Sequence, residues 1–183
     1  DGTLVGWGQN YYGQTDVPSG TYVAVSAGFG HNLAMRSNGT LVGWGYDEGG
    51  VTSNVPPGTF TAFAAGYTHG LAIRDDGTLV GWGVNTFGET NVPTGTFIAV
   101  AGGGYFSLAI RTDGTLAGWG KNINGETDVP SGTFIAVAGG DGGGFGIAIR
   151  SDGTLVGWGD NYSGQTDVPS GTFIAVAAGR AHS

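Results

Sequence analysis

The chain has 183 residues, of which 40 are glycine and 39% are hydrophobic, so it is long enough to bury one sizeable core. Glycine this frequent without a three-residue period excludes collagen, and six prolines are too few for a disordered proline- and glycine-rich tract. A net charge of −8 with dispersed basic residues argues against nucleic acids and anionic membranes as partners, and the absence of cysteine excludes disulfides and thiolate metal sites.

One segment, Asp-Gly-Thr-Leu-Val-Gly-Trp-Gly or a near-copy, occurs five times along the chain. Successive copies begin 37, 38, 37 and 39 residues apart, at Asp1, Asn38, Asp76, Asp113 and Asp152. A regular period in this range is typical of solenoids, propellers and other repeat arrays. We therefore interpret residues 1–183 as a single domain of five repeats, which span residues 1–37, 38–75, 76–112, 113–151 and 152–183.

Each repeat carries three strand signals. The first is Thr-Phe-Ile-Ala-Val-Ala, as at residues 172–177, and its apolar composition predicts a strand buried on both faces. The second is Leu-Ala-Ile-Arg, as at residues 71–74, and the third is Thr-Leu-Val-Gly-Trp-Gly. Asp-Gly or Asn-Gly between the second and third signals predicts an antiparallel hairpin closed by a tight primed turn.

The connection after the third strand signal is longer, for example residues 10–19, and contains Val-Pro. Since proline lacks an N–H, this connection is expected to be irregular or to run along an edge. No stretch has a helical period. The sequence therefore predicts an all-β protein, a β-propeller with three to four antiparallel strands per blade. A β-solenoid is disfavoured because its coils usually take fewer residues.

The repeat pattern Gly-x-x-His-x-Leu-Ala-Ile-Arg-Ser-Asp-Gly-Thr-Leu-Val-Gly-Trp-Gly resembles that of the regulator-of-chromosome-condensation propellers. Its continuation, Trp-Gly-x-Asn-x-x-Gly-Gln-Thr with Val-Pro, is still more similar to the bacterial propeller-type β-lactamase inhibitory proteins. The resemblance covers the whole chain and implies the propeller fold, with an enzyme as one conceivable partner. It implies little about activity, because propellers host many unrelated functions.

The chain departs from those families at its ends. Their rings usually have more blades than the five copies found here, and the fifth copy is incomplete, because no Leu-Ala-Ile-Arg follows residues 180–183. A blade built from both chain ends would lack its middle strand, and exposed edges promote association. Three alternatives follow: a piece of a longer array, an imperfectly closed five-bladed ring, or a subunit whose gap a neighbour fills, with possible self-association.

Strand direction places both variable loops of each repeat at one end of the propeller. If the first strand runs up, the loop before the second strand and the loop after the third strand both lie at the top. Tyrosine and phenylalanine recur in these loops and supply contact area at low entropic cost. Alternatively, the loop sequences differ between repeats only because surface loops tolerate neutral substitutions. The predicted partner-binding residues are Tyr11, Tyr12, Phe29, Tyr46, Tyr67, Phe87, Tyr105, Ile123, Tyr162 and Arg180.

Two other sets of residues recur once per repeat. His31, His69 and His182 share a position that Phe106 and Phe145 occupy elsewhere, which favours buried, locally hydrogen-bonded side chains over metal ligands. The tryptophans are interpreted as structural residues that pack between neighbouring blades, rather than as a ring of sugar sites. They are Trp7, Trp44, Trp82, Trp119 and Trp158.

The carboxylates give no pattern typical of catalysis. Asp113, Asp152 and their equivalents lie beside turns, where aspartate bonds its own backbone. The oxygen-rich residues 160–165 lack the spaced carboxylates and closing glutamate of a calcium loop. No phosphate-binding loop or paired nucleophile is found. The sequence therefore predicts no catalytic residue, no metal site and no cofactor.

These observations favour a non-enzymatic, protein-binding propeller that uses its variable loops, and we expect it to be bacterial and extracellular or at the cell surface. One alternative is a structural or adhesive repeat module of a larger extracellular assembly, completed by strand exchange. Another is a carbohydrate-binding propeller with one shallow aromatic pocket per blade. Membrane insertion is not expected, because no apolar run reaches the roughly 18 residues that a spanning helix needs.

Overall fold

The computed structural model describes residues 2–183 and contains four sheets, each of three antiparallel strands in chain order. Within these residues the helical structure is the single turn Glu48–Gly50, and no described helix could cross a membrane. The all-β, repeated-blade fold predicted from the sequence is confirmed. The strands are β1 (Tyr22–Ala27), β2 (His31–Arg36), β3 (Leu41–Gly45), β4 (Phe60–Ala65), β5 (His69–Arg74), β6 (Leu79–Gly83), β7 (Phe97–Gly102), β8 (Phe106–Arg111), β9 (Leu116–Gly120), β10 (Phe134–Gly139), β11 (Phe145–Arg150) and β12 (Leu155–Gly159).

The second strand is the centre of each sheet and is the strand buried on both faces. In β8, for example, Leu108, Ala109 and Ile110 are fully buried. The first strand is an edge strand, and Ile98 and Ile135 near its start are each 57% exposed. The prediction that the first strand is buried on both faces is therefore wrong, because alternate side chains of this edge strand face no packed sheet.

The hairpins between second and third strands are present, but their turns differ from the prediction. Gly39 N donates to Arg36 O and Arg36 N donates to Thr40 O, both at 2.9 Å. Gly39 has a φ of 81°, whereas no residue other than glycine has a positive φ in the described chain. A primed two-residue turn needs positive φ at both central positions, so these are three-residue loops that end on a left-handed glycine.

Four of the tryptophans join their own sheet to the preceding repeat. Trp82 Nε1 donates to Val51 O at 2.9 Å, and the Trp82 ring packs in a cluster with Leu33 and Met35 of the preceding sheet. Because ring burial and a hydrogen bond cross the same junction, these residues hold consecutive repeats together. The indoles of Trp44, Trp119 and Trp158 donate in the same way to the carbonyls of Gln14, Glu89 and Glu126, at 3.1, 2.8 and 2.9 Å.

The two chain ends form no strands, although one hydrogen bond typical of the repeat is kept near the C-terminal end. Phe173 N donates to Gly153 O at 2.9 Å, as Phe134 N does to Gly114 O at 2.9 Å. Nevertheless, residues 172–177 and 3–8, which were expected to be a first and a third strand, are not strands. Neither segment lies beside a described strand with which it could form a ladder. Trp7, expected to pack between blades, is accordingly 85% exposed.

Candidate partner-binding face

Two sets of loops meet at one end of the sheets. Within a repeat, the loop after the third strand bonds to the loop before the second strand, as Tyr46 N donates to Gly30 O at 2.8 Å. Between repeats, the loops before the second strands bond to each other, as Tyr67 N donates to Gly103 O at 3.1 Å. The two sets therefore form one continuous surface, which we call the loop face.

The loop after the third strand is held closed by the asparagine of Trp-Gly-x-Asn. Asn122 Nδ2 donates to Asp128 Oδ1 at 2.9 Å, and Asn122 Oδ1 accepts from Thr127 N at 3.1 Å. Loops fixed in this way lose less entropy when a partner binds. The same pair of bonds recurs at Asn10, Asn85 and Asn161.

Asp47 replaces this asparagine in the second repeat. Its Oδ1 accepts from Thr52 N at 2.7 Å, from Thr52 Oγ1 at 2.8 Å and from Ser53 N at 3.0 Å. Desolvation alone would raise the pKa of Asp47, but the hydrogen bonds from Ser53 and Thr52 outweigh it and lower the pKa to about 2. The carboxylate is thus engaged in closing the loop.

The predicted aromatic residues form one row of four contacting rings across the loop face. Phe29 stacks on Tyr67 with ring centroids 4.3 Å apart. Tyr67 lies 5.4 Å from Tyr105, and Tyr105 lies 5.5 Å from Phe87. Because the rings come from three different repeats, only the folded chain brings them together. We call these four residues the aromatic row.

The remaining predicted aromatic residues lie outside the aromatic row. Tyr12 and Tyr46 form a separate pair with centroids 4.6 Å apart. Tyr11 and Tyr162 are exposed, Tyr162 to 93%, and make no ring contact with the described residues. Ile123 is likewise an exposed side chain. Outside the aromatic row, the loop face therefore has one contacting pair of tyrosines and single exposed side chains.

A pocket of about 360 Å³ opens beside the aromatic row. Phe29, Tyr67 and Tyr105 line it, together with Gly104, Gly142 and Gly144. The pocket also contains four charged residues, of which the repeat pattern predicts only Arg180 as a partner-binding residue. They are Lys121, Glu126, Asp141 and Arg180.

Glu126 is fully buried, and one of its carboxylate oxygens has no hydrogen-bond partner. Its Oε2 accepts from Asn124 N at 2.6 Å, but its Oε1 has no donor. Glu89 of the preceding repeat also has a buried Oε1 without a donor. Gln14 and Gln165 occupy this position in other repeats. The change from Gln to Glu in the Gly-Gln-Thr motif was the sequence signal that could have identified Glu126.

The surroundings of Tyr67 favour its neutral form. Burial is the largest cause that raises the pKa of the Tyr67 hydroxyl, followed by Tyr105 and Asp141. Arg180 opposes this shift only in part, and Glu48 adds to it. Burial, more than any single neighbouring charge, thus keeps this hydroxyl protonated.

Two of the equivalent histidines are buried near the loop face. His69 Nε2 lies 3.0 Å from Ser107 Oγ, whereas neither ring nitrogen of His31 has a partner. Burial lowers the pKa of both histidines to about 4. The predicted local hydrogen bond is therefore present at His69 but not at His31. His182 is exposed, although a buried side chain was expected at this position. No three potential metal ligands cluster within residues 2–183.

The turn aspartates bond to the threonine two residues on. Asp113 Oδ1 accepts from Thr115 N at 2.9 Å and from Thr115 Oγ1 at 2.7 Å. The side-chain hydrogen bond from that threonine is the main cause that lowers the pKa of Asp113, and the same holds at Asp76 and Asp152. Asp1, which opens the first copy, lies outside the described residues.

Comparison with known proteins identifies the repeat. The family model of the regulator of chromosome condensation (RCC1) repeat matches residues 22–50, 60–89, 97–126 and 134–165, which include all four sheets. No curated protein sequence matches the chain.

Several solved structures are similar. The ectodomain of the Physcomitrella patens receptor kinase CR4 is 26% identical with a TM-score of 0.77, and the match covers 95% of this chain and 50% of that one. The CRINKLY WD40 ectodomain of the Arabidopsis thaliana receptor kinase ACR4 is 25% identical with a TM-score of 0.72, over 94% and 64% of the two chains. Prp20p from Saccharomyces cerevisiae, at 20% identity and a TM-score of 0.66 over 80% and 46%, shows the fold alone. The chain thus spans half of the CR4 ectodomain and 64% of the ACR4 domain.

Proposed function

Because the chain belongs to the regulator of chromosome condensation (RCC1) repeat family, a family of protein-interaction scaffolds, we propose that it is a non-enzymatic propeller that binds a protein partner through the loop face. The observation that carries this proposal is the aromatic row, in which Phe29, Tyr67, Tyr105 and Phe87 are in contact. Contacting aromatic side chains on loops fixed by hydrogen bonds are typical of binding hot spots, because they bury area at low entropic cost.

The relatives support the class of function and not a particular partner. Yeast RCC1 (Prp20) has been solved with Kap60 bound, and Prp20p has been examined for its binding to Gsp1p and histones. Those partners are properties of the yeast protein. No specific contact in the described chain favours an adhesive module or a carbohydrate-binding propeller, so neither is proposed.

Replacing both Tyr67 and Tyr105 with alanine is expected to weaken partner binding strongly. Each truncation should cost about 2 kcal/mol, or roughly thirtyfold in Kd, because both residues lie in the centre of the aromatic row. The partner is first captured with the intact chain, and its affinity for each variant is then measured by calorimetry.

The matched control is the double variant Ile98→Ala, Ile135→Ala. It removes two exposed apolar side chains near the start of the first strands, at the end opposite the loop face. It should leave the affinity unchanged. Unchanged affinity in the tyrosine variant, or an equal loss in the isoleucine control, would sink the proposal.

A further inference from the structure

The pocket on the loop face contains a buried acceptor that the folded chain does not satisfy. Glu126 Oε1 has no donor, so neither Lys121 nor Arg180 bonds to it although both line the same pocket. A carboxylate oxygen buried without a donor is costly, and a group that donates to it from outside would gain a strong interaction. The site therefore favours a ligand with N–H donors.

The walls of the pocket favour a flat or cationic group. Tyr67, Tyr105 and Phe29 line the pocket, and cations bind over such rings within about 6 Å of the centroid. Lys121 Nζ already lies 5.9 Å from the Tyr105 centroid, which shows that this ring face accepts a cation. The rings and Glu126 together offer an acceptor and aromatic faces.

A glycine-rich loop covers Glu126. This loop, residues 141–144, contains three consecutive glycines after Asp141. A Cβ at Gly144 would lie 3.3 Å from Glu126 Oε1 and 3.1 Å from Asn124 Nδ2. The loop also packs on Arg180, and Gly144 O accepts from Asp160 N at 3.1 Å, so a donor from outside reaches Glu126 Oε1 only when this loop shifts.

The charge of the protein favours a basic partner. The chain carries a net charge of −8, and the acidic groups Asp141 and Glu48 act on Tyr67 in the direction that raises its pKa. A negative surface attracts basic segments and raises their association rate.

We propose that this pocket receives an arginine or lysine side chain of the protein partner, whose N–H groups donate to Glu126 Oε1 while its cation rests against Tyr67 and Tyr105. The proposal rests on the proposed function and specifies the partner chemistry at the same face. The opposing possibility is an anionic ligand held by Lys121 and Arg180.

The test uses short peptides and three single variants. Acetyl-Gly-Arg-Gly-amide and acetyl-Gly-Glu-Gly-amide are titrated into the full chain, and binding is followed by fluorine NMR of fluorotyrosine-labelled protein. The arginine peptide should shift the pocket tyrosine signals saturably. Glu126→Gln should weaken this binding about tenfold. Glutamine at positions 14 and 165 indicates that the fold tolerates the change.

Two control variants make the result specific. Glu89→Gln alters the same buried motif position outside the pocket and should leave peptide binding unchanged. Lys121→Gln removes a competing cation and should strengthen binding of the arginine peptide. Equal effects of Glu126→Gln and Glu89→Gln, preference for the glutamate peptide, or no binding of the arginine peptide would each overturn the inference. If replacing Tyr67 and Tyr105 still weakens binding of the protein partner, the proposed function stands although the inference about the pocket fails.

Discussion

Trp82→Ala is expected to lower the free energy of unfolding by about 3–5 kcal/mol, whereas Trp7→Ala should change it by less than about 0.5 kcal/mol. Both residues occupy the same repeat position, but Trp82 is 7% exposed and Trp7 is 85% exposed. Trp82 also donates to Val51 O across the junction between repeats. Urea unfolding followed by circular dichroism measures both values.

A third variant separates the two contributions of this tryptophan. Trp82→Phe keeps most of the ring volume but removes the donor to Val51 O, and the lost hydrogen bond should cost about 1 kcal/mol. Trp82→Phe should therefore lose less free energy of unfolding than Trp82→Ala, and the difference between the two losses measures the contribution of ring packing. Similar losses in Trp7→Ala and Trp82→Ala would contradict the assignment of the tryptophans to the junctions.

Lowering the pH from 7 to 5 is expected to destabilise the protein by about 4 kcal/mol, about 2 kcal/mol for each of His31 and His69. Burial lowers the pKa of both side chains from 6.5 to about 4 in the folded protein. Between these values the unfolded state binds more protons, so stability is full above pH 6.5 and is lost as the pH falls towards 4. Asp47, with a pKa of about 2, titrates below this window.

The chain itself suggests the control for this pH dependence. Phe106 and Phe145 occupy the histidine position in two other repeats, where both are buried. The double variant His31→Phe, His69→Phe should therefore fold and should lose little stability between pH 7 and 5. Urea unfolding of both proteins at the two pH values gives the comparison. A double variant as acid-sensitive as the parent would show that other groups carry the effect.

The repeat family and the proposed binding surface are linked by the way the loops are built. Asn122 and its equivalents, with Asp47 in the second repeat, close the loops after the third strands from within, while the outward residues of these loops vary. Phe87 is such an outward residue, whereas Phe29, Tyr67 and Tyr105 lie in the loops before the second strands, which bond to each other between repeats. Three repeats supply these four residues to the aromatic row. Partner identity and an extracellular location stay predictions.

Several features that the repeat pattern did not predict have a common physical origin. The primed turn was expected from Asp-Gly and Asn-Gly alone, but the side chains of Asn38 and Asp76 accept from the backbone N–H of Thr40 and Thr78, and the glycine alone is left-handed. Residues 172–177 have a good strand pattern, yet a strand needs a partner ladder. In the first case a side chain in the turn determined the backbone conformation, and in the second a strand could not form without a described strand beside it.

The amino-acid sequence by itself determined the period, the hairpin in each complete repeat and the end of the sheets at which variation collects, because these depend on residues close together in the chain. Only the tertiary structure decided which equivalent residues are buried and which side chains meet. Trp82 is covered because the preceding sheet packs against it, whereas no sheet of residues 2–183 packs against Trp7. Glu126 shares a pocket with Tyr67 and Tyr105 because consecutive repeats stack, and repeat spacing alone cannot specify how closely side chains from different repeats approach.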